Sequence, residues 1–325
     1  MDCIEYLKER EMAIDAPKTP YSGKVKETKL GKGDKALTVG GETCYPFYLY
    51  EGAMPNKPKI AMEVWDTTPE EWPAAAIEPF ADVIKDPVAW AKKCVQTYGA
   101  EMIALQLVST DPNGQNRGAD EAAAVVKRVA DAIDVPLIVW GVANNEKDTL
   151  TLTKVAEVCQ DKRLILGPVE EKDYKKIAAA AIGYKHTVVA STPIDINLAK
   201  QLNILLGNLG VSDDMVVMDP TVSGIGYGLE YCYSVMERMR MAGLTQQDDK
   251  LQFPIICNLA KEVWKAKEVQ QPDDFANMGN AKNRGILMEA MSAITLLLAG
   301  GDVIVMRHPE AVKLVKEMVA DLTAA

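Results

Sequence analysis

Polar side chains able to do chemistry recur in this sequence directly after short apolar runs. Glu63 and Asp66 follow one such run, Ser109, Asp111, Asn113, Asn116 and Arg117 a second, and Asn144 with Asn145 a third. Ser191, Thr192 and Asp195 follow a later run, and Asp219-Pro220-Thr221 closes another. Asn258 and Arg307-His308 follow the last two. Two carboxylates brought together run general acid–base chemistry, and Glu63 and Asp219 are a pair that would have to meet. Amides and hydroxyls instead orient a polar ligand. Structural roles are also open to these residues. Asp195 and Thr192 are placed to cap a helix, and Asp66 to cap the loop behind its run. Asp219 suits hydrogen bonding within the fold as well as ligand contact. His308 is open to a ligand role, whereas His186 precedes its apolar run and reads as structural.

What is missing narrows the chemistry. Two histidines exclude a His-rich metal site. The six cysteines, Cys3, Cys44, Cys94, Cys159, Cys232 and Cys257, include no C-x-x-C pair, so iron–sulfur and zinc ligation is not indicated and they read as reduced and buried. No lysine ends an apolar run where a Schiff base would need it, and no G-x-S-x-G elbow is present. Ser223-Gly224-Ile225-Gly226-Tyr227-Gly228 is glycine-rich, but it lacks a following Walker lysine and the setting of a dinucleotide motif. The residues amount to a polar binding surface without a complete catalytic set.

The elements that must position them are regular. Eight apolar runs are predicted as strands: Ile60–Val64, Met102–Leu107, Leu137–Trp140, Leu164–Leu166, Thr187–Ala190, Met215–Met218, Phe253–Cys257 and Val303–Met306. Runs that are apolar throughout suit parallel strands buried on both faces. Helical patterns fill the gaps. Val125, Val126, Val129, Ala130 and Ile133 form one stripe over Ala119–Ile133. Asp195 opens a helix to about Leu206, with Gly207 and Gly210 as stop signals. Eight strand–helix units predict an α/β fold, a single (β/α)8 TIM barrel over residues 60–325. Residues 1–59 form an extension, in which Ala36–Val39 and Cys44–Tyr50 around Gly40-Gly41 are predicted as a β-hairpin covering the N-terminal mouth. Lys261–Val269 is predicted as an extra helix. The polar residues above then gather at the C-terminal mouth, where barrels carry their function.

The chain has 325 residues with 48% hydrophobic and 25% charged residues, enough for an ample core. Its net charge of −10 disfavours nucleic acid as a partner. No apolar run is long enough to span a membrane, and the charged start carries no signal core, so a cytoplasmic location is expected.

Several stretches carry a resemblance. They are Met62-Glu63-Val64-Trp65-Asp66, Ser191-Thr192-Pro193-Ile194-Asp195-Ile196-Asn197, Lys200 to Leu205, Met218-Asp219-Pro220, Gly224 to Gly228, Val235-Met236-Glu237-Arg238, and Leu298 through Val312 with its Met306-Arg307-His308-Pro309-Glu310-Ala311-Val312. Together, from about residue 34 onward, the chain resembles the small subunit of the corrinoid iron–sulfur protein of the reductive acetyl-CoA (Wood–Ljungdahl) pathway. The same subunit type occurs as the delta subunit of the archaeal acetyl-CoA decarbonylase/synthase complex. The resemblance implies a non-catalytic barrel that covers a cobamide, a cobalt corrinoid shared with a large subunit that alone carries a [4Fe–4S] cluster. It implies methyl transfer from methyltetrahydrofolate, through a separate methyltransferase, to acetyl-CoA synthase, with a reductive activator as a further partner.

On that reading Ser109, Asp111, Asn113, Asn116, Arg117, Asn144, Asp219 and His308 are the candidate cofactor-binding residues, and Arg117 would bring a permanent positive charge near the metal. Tyr45, Phe47, Tyr48, Tyr227, Tyr231 and Tyr233 are candidates for the partner interface. The main alternative is a stand-alone pterin-dependent methyltransferase, with Asp219, Asn258 and Asn144 at the pterin edge. A barrel lyase or aldolase is disfavoured by the missing lysine and phosphate-binding turns.

Overall fold

The computed structural model describes residues 17–226 and 228–324. Eight parallel strands form the barrel: β3 (Lys59–Trp65), β4 (Met102–Gln106), β5 (Leu137–Trp140), β6 (Ile165–Val169), β7 (Thr187–Ser191), β8 (Val216–Asp219), β9 (Ile256–Asn258) and β10 (Val303–Met306). Their order runs β8-β7-β6-β5-β4-β3-β10-β9. One bridge between Met218 and Ile255, with the Met218 amide donating to the Pro254 carbonyl at 2.7 Å, joins the two ends into a nearly closed barrel.

The helices between them are α1 (Ala74–Ile77) and α2 (Pro87–Gln96) after β3, α3 (Ala119–Ala132) after β4, α4 (Asn145–Val158) after β5 and α5 (Tyr174–Tyr184) after β6. Then come α6 (Ile196–Leu209), α7 (Leu229–Thr245), α8 (Ala260–Trp264), α9 (Ala281–Leu298) and α10 (Pro309–Leu322). The expected helix ends hold closely. The Asp195 side chain accepts from the Asn197 and Leu198 amides at the start of α6, and Gly210, in the left-handed region at φ 98°, ends it. Thr192 does not cap that helix. It is buried, and its hydroxyl has no hydrogen-bond partner.

The alternation of strand side chains builds two cores. Ile60, Met62 and Val64 of β3 point outward into the layer between strands and helices, with Phe80, Trp90 and Leu105. Ala61 points inward with Met102, Ala104, Ile138, Ile165, Val189, Val217, Ile256, Val303 and Val305. The inner core is capped from below by Leu30 and Val39.

Those two residues belong to the N-terminal hairpin, which covers the N-terminal mouth as expected but pairs differently. β1 (Thr28–Leu30) runs antiparallel to β2 (Leu37–Val39), with Thr28 opposite Val39, so the turn lies over residues 31–36. Cys44–Tyr50 is not the partner strand and forms successive turns. Gly40 and Gly41 are required for another reason. Both have positive φ, and a Cβ on Gly40 would lie 2.1 Å from the Lys26 carbonyl of the paired chain. The predicted helix over Lys261–Val269 is also shortened, with α8 ending at Trp264.

Arg240 locks the seam beneath β9 and β10. Buried to 2% exposure, it donates to the Gly300 carbonyl, the Phe253 carbonyl at 3.0 Å and the Asp302 carboxylate, which also accepts from the Ile255 amide at 2.6 Å. Burial, and then the neighbouring Asp302 charge, push the Glu42 carboxyl of the extension well above its usual range. The five described cysteines are free and buried, and Cys3 lies outside the described residues. Of the interface candidates, Tyr231 and Tyr48 are exposed, at 66% and 44%, Tyr45 is buried, Phe47 and Tyr233 are half-buried, and Tyr227 lies outside the described residues. Among the described residues no helix is long and apolar enough to cross a membrane. Removing one partner of a buried ion pair costs roughly 3–5 kcal/mol, so Arg240→Ala is expected to lower unfolding stability by that amount in urea titrations. A loss below about 1 kcal/mol would show that the seam is held elsewhere.

Candidate functional site at the C-terminal mouth

The ends of β5 to β9 enclose a cavity of about 170 Å³. Its walls include Trp140, Ala143, Pro168, Glu170, Ser191, Asp219, Thr221 and Asn258, with Lys261 and Glu262 at its edge. The Gln106 amide of β4 donates to the Asn258 side chain of β9 at 3.1 Å, tying two non-adjacent strands across the barrel.

Asp219 is the most perturbed group on these walls. Burial pushes its carboxyl up to about 7, against an ordinary value of 3.8. The Thr221 amide donates to its Oδ1 at 2.9 Å, and Thr221 itself is held in the left-handed region by its hydroxyl, which donates to the Thr192 carbonyl at 2.7 Å. The Ser191 hydroxyl lies buried beside Asp219 on the same wall, where hydrogen bonding to the carboxylate counters part of that upward push. A carboxyl that is partly protonated near pH 7, the Ser191 hydroxyl and the Asn258 amide can donate and accept along one edge of a small polar ligand.

The loop after β4 forms the rim. Asp66, at the end of β3, anchors it by accepting from the Ser109 amide at 2.9 Å and from the Ser109 hydroxyl. Asp66 thus anchors the neighbouring strand's loop rather than capping its own. The Arg117 guanidinium lies 4.0 Å from the same carboxylate and donates to the Asp66 carbonyl at 3.4 Å. Asp111 accepts from the Asn113 amide at 2.8 Å in a local turn, and residues 112–116 are exposed. Asn116 turns the chain at φ 49° and accepts from the Lys147 ammonium at 2.7 Å. Asn144 caps α4 by accepting from the Lys147 amide at 3.0 Å, and is not on the cavity wall.

The remaining candidates are used by the fold. Glu63 accepts from Arg307 Nε at 2.6 Å and from Trp65 Nε1 at 3.0 Å, so it forms no acid–base pair with Asp219. The Arg307 guanidinium lies 3.5 Å over the Trp72 ring. His308 is fully buried, caps α10 by accepting from the Glu310 amide, and stacks on Trp264. Burial pushes it down to about 4, which keeps it neutral at pH 7. His186 is structural as read, accepting from the Leu164 amide at 2.9 Å. Among the described residues no group of three or more His, Cys, Asp or Glu is arranged to hold a metal.

Gln106 and Glu170 were not among the predicted site residues. Gln106 ends an otherwise apolar strand, on the same inward face as Met102 and Ala104, which puts it near the mouth. Glu170 follows β6 directly, as the other mouth residues follow their strands.

The fold is a (β/α)8 barrel with a polar cavity at its C-terminal mouth. The barrel is similar to dihydropteroate synthase from Xanthomonas albilineans bound to 4-aminobenzoic acid. The TM-score is 0.59 at 12% identity, over 92% of this chain and all of that one. The Thermus thermophilus dihydropteroate synthase matches with a TM-score of 0.55 at 13% identity, over 86% and 97% of the two chains. At such identities the likeness shows the fold alone. In sequence, residues 27–322 match the family described as CO dehydrogenase/acetyl-CoA synthase delta subunit, and the chain belongs to that family. The acetyl-CoA decarbonylase/synthase complex subunit delta of Archaeoglobus fulgidus is 38% identical over 93% of this chain and 69% of its own length. That of Methanothermobacter thermautotrophicus is 34% identical over 98% and 80%.

Because Asp219 is raised in the fold, stability is fully present below pH 3.8 and is lost as pH climbs to about 7. The loss reaches at most about 1.4 kcal/mol per pH unit. Asp219→Asn should remove that slope, so the variant gains on the parent chain between pH 4 and 7 in pH-resolved unfolding. Parallel pH profiles for the two would show that Asp219 is not desolvated.

Proposed function

We propose that the chain acts as the delta subunit of an acetyl-CoA decarbonylase/synthase assembly, its barrel mouth covering a cobamide held by a large partner subunit during methyl transfer. The observation that carries this reading is the division of the mouth into a small cavity and an exposed amide-rich rim, in a member of the delta-subunit family. A cavity of about 170 Å³ is too small for a corrin macrocycle, so such a group is covered rather than enclosed. The carboxamides on a corrin's edge match the exposed Asn113, Gln115 and Asn116, so the residues present fit the group. When bound, the cobamide supplies the methyl-accepting and methyl-donating metal. The chain's own residues orient and shield. Asn113, Gln115 and Asn116 hold the edge, Arg117 brings a fixed positive charge to the rim, and the closed mouth excludes water from one face. The iron–sulfur cluster belongs to the partner in this scheme. A methyltetrahydrofolate methyltransferase, acetyl-CoA synthase and a reductive activator are its other partners, in the cytoplasm.

A second reading, a pterin-dependent methyltransferase, is favoured by one observation: Asp219 and Asn258 share the wall of a cavity sized for a bicyclic ring. Anaerobic co-expression with the large subunit separates the two. The carrier reading expects a heterodimer with corrin absorbance and a colourless lone chain that does not bind methyltetrahydrofolate. A lone chain that ignores the large subunit and binds methyltetrahydrofolate would transfer the assignment to the methyltransferase.

A further inference from the structure

The mouth loops are not independent of one another. Three side chains in the first turn of α4 each grip a different one. Asp148 is buried at 1% exposure beneath the loop after β5, and its carboxylate accepts from the Val142 amide at 3.0 Å and the Asn144 amide at 3.2 Å. That loop holds Ala143 on the cavity wall at φ 59°. Gly141 makes room for the carboxylate, since a Cβ there would lie 2.4 Å from Asp148 Oδ1. Lys147 reaches the other way, donating to Asn116 Oδ1 at 2.7 Å and to its carbonyl at 3.3 Å, at the left-handed residue of the loop after β4. Asn145 donates to Glu170 at 2.7 Å and to Asp173 at 3.4 Å, in the loop after β6.

Two non-glycine residues with positive φ persist only where their surroundings over-determine them. Here the surroundings are one helical turn. A rim ordered in advance binds without the entropic cost of ordering on contact.

We infer that the first turn of α4 is the positioning element of the mouth. Through Asn145, Lys147 and Asp148 it holds the loops after β6, β4 and β5 as one preformed rim, and so sets the affinity with which the mouth covers its macrocycle. The second half of this inference rests on the carrier reading, whereas the first half does not. None of the three side chains belongs to the candidate contact set on the rim. They act through the residues they hold.

Hydrogen exchange on the chain alone tests the first half. Asp148→Asn puts amide protons where carboxylate oxygens now accept, so exchange across residues 142–144 should rise about tenfold or more. Lys147→Ala should do the same for residues 111–117, and Lys147→Arg, which keeps a donor, should restore protection. Unchanged exchange in both variants overturns the inference, whatever the corrin measurements give. For the second half, the affinity for the cobalamin-loaded large subunit and the visible spectrum of the complex are read in the same variants. Lys147→Ala should weaken binding about tenfold and shift the corrin bands, and Lys147→Arg should recover both. Faster exchange with unchanged affinity and spectrum overturns the positioning role. A parent chain that binds no corrin-loaded partner sinks the carrier reading, while the exchange result still decides whether the rim is held as described.

Discussion

A parallel barrel must join its first and last strands, and this one does so through its shortest. β9 has three residues, pairs fully with β10 and meets β8 through a single bridge. Backbone pairing that sparse leaves carbonyls at the strand entries unpaired, and Arg240 collects them, with Asp302 as its counter-ion. The stem of Arg240 fills the space a side chain at residue 300 would need, so that position is glycine at φ 116°. The mouth depends on this closure. Asp219 ends β8 and Asn258 ends β9, so the seam below sets the spacing of two cavity walls above.

Buried ionisable groups divide sharply in what they do. Asp219 and Glu289 are both buried, and burial raises each to about 7. Glu289 is spent, accepting from the Arg307 and His308 amides and from Trp264 Nε1, which fixes the loop that opens α10. Asp219 lies on a cavity wall beside the Ser191 hydroxyl. A raised carboxyl marks a binding position only when a cavity accompanies it. Arg307 shows the same division, since its charge is matched by Glu63 and covered by Trp72 rather than offered to a ligand. Asp219, Ser191 and Asn258 are among the polar groups that line the cavity wall together.

The strands were legible because burial on both faces leaves no alternative to apolar runs. All eight were placed, with ends displaced by a few residues only near Pro168 and Pro254. The α6 cap at Asp195 was legible because a carboxylate ahead of a helix satisfies its free amides wherever it occurs. The hairpin was misjudged at Gly40-Gly41, because a glycine pair signals a turn and a close backbone approach equally well, and only the position of Lys26 distinguishes them.

Sequence alone therefore determined the barrel, its polar end and the family likeness, since period, strand count and motif order are local properties of the chain. Tertiary structure decided which polar residues are free. Asp66 follows its strand much as Asp219 ends its own, yet Asp66 is consumed by the loop at Ser109, while Glu63, inside β3, is consumed by Arg307 and Asn258 is tied to Gln106 across the barrel. Asp148, three residues into a helix, carries no local sign that it holds the mouth loop. Hydrogen-bond partners are set by where distant loops meet, and that is fixed only when the barrel closes.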